Sequence, residues 1–118
     1  MSTHTTITGR IGTEPEYKLL GDDQEQPAAR FRLVYSPRIR DDRGDWTDGE
    51  TTWYTVQAWG KLAGHVADRL TKGQTVTVTT TRPITARGWV DRNGEIQVDL
   101  TLTAADVALS MKFDQTTT

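Results

Sequence analysis

The sequence has no cysteine and only two histidines in 118 residues. Disulfides and thiolate metal sites are thereby excluded, and a reducing compartment is compatible. His4 sits near the start and His65 in a helix-like stretch, each without a partner for imidazole chemistry. No G-x-S-x-G, H-E-x-x-H or phosphate-cradling glycine loop is present. The carboxylate pair Asp41/Asp42 lies in a turn-rich stretch without a rigid frame. The acidic run DDRGDWTDGE does not follow the D-x-[DN]-x-[DN]-G order of a calcium loop. No enzyme, no cofactor and no metal site is therefore expected. No apolar run approaches membrane-spanning length. The opening MSTHTTITGR lacks the basic and apolar segments of a signal peptide, so a cytoplasmic, nucleoid-associated location is expected. Internal repeats and low-complexity segments are also absent.

What remains is one domain's worth of alternating, threonine-rich sequence. The formal net charge is −2, but its distribution matters more than its sum. Acids gather at 22–25 and 41–50, in turn-like stretches, whereas Arg10, Arg30, Arg32, Arg82 and Arg87 fall within strand-like ones. A localised positive groove between acidic loops is expected.

The organising stretch is TTWYTVQAWGKLAGHVADRLTKG, residues 51–73. Trp53, Thr55, Gln57 and Trp59 share one face of a strand; Tyr54, Val56 and Ala58 share the other. The second face is core material. The first, two indoles separated by small polar groups, makes a poor core and a good platform. After Gly60 the apolar period becomes three and four, giving a short amphipathic helix that Gly73 can end as its C′ residue.

Strands precede and follow this unit. Thr5–Ile11 points Ile7 and Ile11 inward, and Glu16–Leu20 reads as a short extension. Ala28–Tyr35 places Ala29, Phe31 and Leu33 on one face and Arg30, Arg32 and Val34 on the other. After the helix, Thr75–Ala86 points Val76, Val78, Ile84 and Ala86 inward, with Pro83 marking an edge, a bulge or a strand end. Asn93-Gly94 signals a hairpin turn. Ile96, Val98, Leu100 and Leu102 alternate inward on the last strand, which Val107, Leu109 and Met111 extend or carry onto a neighbouring subunit. The order β-β-β-α-β-β is that of an all-β, five-stranded Greek-key OB-fold barrel, with the helix between strands three and four. It occupies residues 1–113, and 114–118 form a short polar end.

In such a barrel strands two and three carry the binding face. Indoles there stack on any unpaired base, whereas duplex DNA keeps its bases stacked on each other. Trp53, Trp59 and Trp89 are the candidate platforms, and Arg10, Arg30, Arg32, Arg38, Arg40 and Arg87 the candidate phosphate contacts. A plain solvated surface is the alternative for the arginines. The connection SPRIRDDRGDWTDGE is long for a hairpin and reads as a flexible loop that closes over nucleic acid. Its Trp46 is either a further platform or a pin that holds the loop to the barrel.

Trp53-x5-Trp59-Gly60-Lys61-Leu62-Ala63 resembles the core signature of bacterial single-stranded DNA-binding proteins, the SSB family. Thr6–Glu16, with its G-x-(L/I)-x3-P-E pattern, is similar to that family's first strand and turn. The resemblance runs from about Thr5 to Met111. It implies coating of single-stranded DNA without strong sequence preference in replication, recombination or repair. It also implies stacking on Trp53, Trp59 and Trp89, and a homotetramer, a dimer of dimers whose dimers form partly through an unpaired edge at Thr5–Gly9. The pattern departs at TTRPI, about two residues longer than usual, which leaves the register of Thr80–Arg87 open. At Ile39 some members have a further tryptophan. No Gly- or Pro-rich linker with an acidic tip follows, so tail-recruited partners are not expected. The rival reading is an OB-fold accessory factor, primosome-type or phage-derived, with weak or partner-dependent binding. RNA also remains open, because stacking does not read the 2′-hydroxyl.

Overall fold

The computed structural model describes residues 4–111. The expected polar end at 114–118 lies outside the described residues. The elements run β1 (Thr5–Ile11), β2 (Glu16–Leu20), β3 (Gln26–Tyr35), β4 (Arg38–Arg40), β5 (Trp46–Asp48), β6 (Thr52–Trp59), α1 (Lys61–Arg69), β7 (Thr75–Thr80), β8 (Thr85–Val90), β9 (Ile96–Thr103) and β10 (Asp106–Leu109). The main sheet has the order β10-β7-β1-β3-β6-β9-β8. β2 and β1 share one edge of β3, β2 at Gln26–Arg30 and β1 at Leu33–Val34. β6 and β9 are parallel; every other pairing is antiparallel.

This is the OB-fold path, with β3 and β6 continuous and the first, fourth and fifth strands each broken into two segments, β1/β2, β7/β8 and β9/β10. The hydrogen-bonded ladder is not continuous around the barrel. The backbone itself completes the circle where it steps from β6 to β7: the Ala104 N–H donates to Gln57 O at 2.8 Å and the Ala105 N–H to Thr79 O at 2.7 Å.

The core follows from the period-two pattern. Ala29, Phe31 and Leu33 of β3, Val56 and Ala58 of β6, Val76 and Val78 of β7, and Leu102 of β9 are buried together with Ile11. β-branched and aromatic residues on the pleated inner faces suit both strand geometry and burial. α1 closes one end of the barrel by burying Ala63 and Val66. It ends sooner than the expected Gly73 cap. Leu70 turns extended at φ −105°, ψ 143° and buries its side chain. Gly73 instead donates its N–H to Ile11 O at 2.8 Å, tying the helix-to-strand connection to β1. No helix among the described residues is long and apolar enough to cross a membrane.

The structure departs from the expected pattern in several places. Ile96 and Val98 are 77% and 58% exposed rather than inward. Their alternation is intact, but β9 pairs with β6 only over Leu100–Thr103. Among the described residues, 96–99 have β8 alone as partner and project past the barrel, where no described layer lies beneath them. Ile84 and Ala86 are exposed for a related reason: the strand breaks after Thr80, and the next one, β8, pairs with β9 instead of β1. That break also leaves Arg82 outside any strand, its N–H on Thr80 Oγ1 at 3.3 Å. The strand end coincides with Pro83, which has no N–H to offer a ladder.

The 36–50 connection is an ordered hairpin in which β4 and β5 form a separate two-stranded sheet. The first-strand edge is half occupied. β7 pairs along Thr5–Arg10, and β3 pairs on the other side only at Arg10 and Ile11. Among the described residues Thr5–Gly9 thus keep one side of the ladder open.

Candidate nucleic-acid interface

One outer face of the sheet spans β3, β6, β9 and β8. β3 contributes Arg30 and Arg32, and β6 contributes Trp53, Thr55 and Gln57. β9 contributes Gln97, Asp99, Thr101 and Thr103, and β8 contributes Thr85, Arg87 and Trp89. Together they line an open groove of about 1430 Å³. The strand register produces this grouping. Arg30 lies opposite Gln57, Arg32 opposite Thr55, Thr55 beside Thr101, Arg87 opposite Asp99 and Trp89 opposite Gln97. Trp59 lies one step beyond, in an adjoining hollow of about 190 Å³ whose lining shares Glu16, Arg30 and Gln57 with the groove. Tryptophans 53, 59 and 89 keep 41–48% of their surface exposed, so each presents ring area to a ligand.

Trp53 is the best-held of the three. A Cβ at Gly12 would lie 2.8 Å from its Cζ3 and 2.9 Å from Val34 Cγ2, so only glycine lets the indole edge settle there. Arg32 covers the ring with its Cζ 5.5 Å from the centroid, a cation–π contact that orders both side chains. Among the described residues, Arg32 Nε is buried without a hydrogen-bond partner. An unmet donor of this kind is costly until an acceptor reaches it.

The remaining expected residues are not gathered here. Arg10 is exposed on β1, outside the groove lining. Arg38 and Arg40 stand on β4 and Trp46 on β5, also outside it. Arg40 Cζ sits 5.9 Å over the Trp46 ring, and its Nε donates to Gly44 O at 3.2 Å. Trp46 is thus engaged within its own hairpin.

The groove is not the basic channel expected from the placement of the acids. Its arginines face Glu16, Glu50 and Asp99. Arg30 Nη2 pairs with Glu16 Oε2 at 3.5 Å, with both side chains well exposed, so this pair contributes little to stability. Asp99 accepts hydrogen bonds from Thr55 Oγ1 at 3.0 Å and Thr101 Oγ1 at 3.3 Å. Sequence reasoning missed it because it followed only the inward residues of IQVDLTLT. A carboxylate within a strand, where aspartate is disfavoured, was the available signal. At the hairpin tip, Asp91 Oδ1 accepts the Asn93 and Glu95 N–H groups at 2.9 and 3.0 Å, and Oδ2 accepts from Gln97 Nε2 at 2.9 Å. The Glu95 and Gln97 bonds hold its carboxyl below the ordinary 3.8.

The pattern of the Single-strand binding protein family matches residues 2–110. The chain belongs to that family. Among its relatives, the single-stranded DNA-binding protein of Corynebacterium glutamicum is 31% identical over 112 residues, 94% of this chain and 48% of that protein. That of Paenarthrobacter aurescens is 28% identical over 116 residues, 96% of this chain and 66% of that protein. The chain therefore spans about half to two thirds of these relatives' length. The crystal structure of the small single-stranded DNA-binding protein from Streptomyces coelicolor matches with a TM-score of 0.75 at 26% identity. It covers 95% of this chain and 97% of that one. A Plasmodium falciparum SSB in complex with single-stranded DNA matches with a TM-score of 0.64 at 22% identity, over 91% of this chain and 93% of that one. That second likeness is one of fold.

Proposed function

We propose that this member of the single-strand binding protein family binds and coats single-stranded DNA without strong sequence specificity, and carries out no chemistry. The observation that carries the reading is the shared outer face on which Trp53 and Trp89 stand beside Arg30, Arg32 and Arg87. Bases stack on the indoles, with Trp59 continuing the path, and phosphates take the arginines. The partnerless Arg32 Nε is the donor best placed to gain from a phosphate oxygen. Replication, recombination and repair, in the cytoplasm, are the processes in which such coating is needed.

Assembly is part of the proposal. A homotetramer at micromolar concentration, independent of DNA, is supported by the open side of the ladder at Thr5–Gly9 among the described residues.

The groove's formal neutrality favours one alternative, an accessory factor whose binding is weak or needs a partner. Titration with oligo-dT followed by tryptophan fluorescence, with light scattering for mass, decides between them. Nanomolar binding to every oligomer longer than one site, with quenched emission and a tetrameric mass, supports coating. Weak binding by a monomer supports the accessory factor.

A further inference from the structure

Asp99 is an anionic acceptor in the middle of a face proposed to hold a polyanion. Its placement is built. The carboxylate is anchored from both sides, by Thr55 Oγ1 on β6 at 3.0 Å and by Thr101 Oγ1 on its own strand at 3.3 Å. Thr55 is itself buried and lies beside Thr101 in the register. Arg87 is directly opposite Asp99 on β8, yet among the described residues no salt bridge joins Asp99 to a cation. Each carboxylate oxygen accepts one hydroxyl and keeps lone-pair capacity for another donor.

β9 is the strand between β6, which carries Trp53, and β8, which carries Trp89. Asp99 lines the same groove as both indoles, so a base stacked on either can turn its hydrogen-bonding edge toward β9. We infer that Asp99 is a base-discriminating residue: fixed by Thr55 and Thr101, its carboxylate accepts the exocyclic amino group of a stacked base and disfavours thymine. Cytosine N4 and adenine N6 are donors that a carboxylate accepts well. Thymine offers only N3–H, flanked by two carbonyl oxygens that repel the carboxylate. The result is a modest base preference laid over general stacking. The inference rests on the proposed single-stranded DNA binding.

The test compares fluorescein-labelled oligo-dC and oligo-dT of equal length, at one salt concentration, with the wild-type chain and Asp99→Ala. Affinity is read by anisotropy. The expected result is a fall of about five- to tenfold in the preference for dC relative to dT, through weaker dC binding together with dT binding that is kept or tightened as the repulsion is relieved. Equal tightening on both oligomers, with a steeper salt dependence, overturns the assignment and makes Asp99 a like charge that only repels the strand. No change on either oligomer also overturns it and leaves Asp99 a strut between threonines. If Asp99→Ala does not fold, Asp99→Asn decides, because its amide serves thymine O4 as well as cytosine N4. The dC:dT ratio must then fall toward one, and an unchanged ratio overturns the assignment. A wild-type chain that binds neither oligomer removes the single-stranded DNA reading itself, whereas dT binding with a ratio insensitive to Asp99 removes this inference alone.

Discussion

The hairpins β4–β5 and β8–β9 are built on the same turn and end in different places. In the first, Asp41 accepts the Arg43 and Asp45 N–H groups on Oδ1, both at 2.9 Å, and the Gly44 N–H returns to Asp41 O at 3.0 Å. In the second, Asp91 takes Asn93, Glu95 and Gly94 in the same way. Gly44 and Gly94 both adopt the left-handed conformation, φ +83° and +80°, that a type I turn with a following bulge requires. Each hairpin then carries an arginine and a tryptophan. One, however, is joined through β9 to β6, and its Arg87 and Trp89 line the groove. The other, among the described residues, pairs only with itself, and its Arg40 and Trp46 face each other. Local code makes the turn; attachment to the sheet decides what the turn presents.

The sharpest way to break this contrast is to remove the indoles. Trp53→Ala and Trp89→Ala should each cost about 1–3 kcal/mol of oligo-dT affinity, the value of one lost platform. Trp46→Ala should cost less than about 0.5 kcal/mol, the range of surface changes that remove no ligand contact. Equal losses in fluorescence titrations would mean that the β4–β5 hairpin also reaches the strand.

The turns themselves should respond alike. Gly44→Ala and Gly94→Ala place an L-residue in the left-handed region and should each destabilise by about 1–2 kcal/mol in urea unfolding. A clear inequality between them would show that the surrounding sheet, not the turn, sets the strain.

Charge offers a finer distinction. Arg87→Ala should lower the slope of log K against log salt by about 0.7, one phosphate on a single strand. Arg40→Ala should leave the slope alone while shifting the emission of Trp46, whose covering guanidinium is gone. A slope change in both variants would extend the phosphate path along the second hairpin.

The smallest effect is in pH. The folded-state pKa of Asp91 is lowered, chiefly by its hydrogen bond from the Glu95 backbone and then by the one from Gln97. Its contribution is therefore fully present above the ordinary 3.8 and is lost as pH falls through the lower folded value. The Asn93 and Glu95 amide shifts should stay constant from neutrality down to about pH 5 and move only in stronger acid. Asp91→Asn should abolish that acid transition.

The core and the outward face of β6 were legible because both obey a period of two, and the buried partners Phe31, Leu33 and Val56 obey it as well. The turn at Asn93-Gly94 was legible from its glycine, whereas the matching turn at Gly44 was hidden inside what reads as one long flexible loop. The projection of Ile96 and Val98 was not, since alternation names two faces without saying whether anything covers them. Asp99 and the pairing of Arg40 with Trp46 were hidden for the complementary reason. Each depends on which strand lies alongside: for Asp99 a partner 44 residues away in the chain, for Arg40 the returning strand of a hairpin that the alternation does not announce.

The step at Ala104–Ala105 bears on how the molecule is made. Everything before it can pair as an open curl: β2, β3 and β6 on one side, β7 against β1 on the other. The two sides are joined through β1 and β3 alone until Ala104 reaches Gln57 and Ala105 reaches Thr79. A chain emerging from its amino end supplies those residues late, after the binding face on β3 and β6 has been synthesised. Ring closure is then the last pairing of the barrel, of high contact order and slow by the measure of loop entropy. A nascent chain stalled before residue 104 would already carry all four of its tryptophans while its barrel is still unsealed.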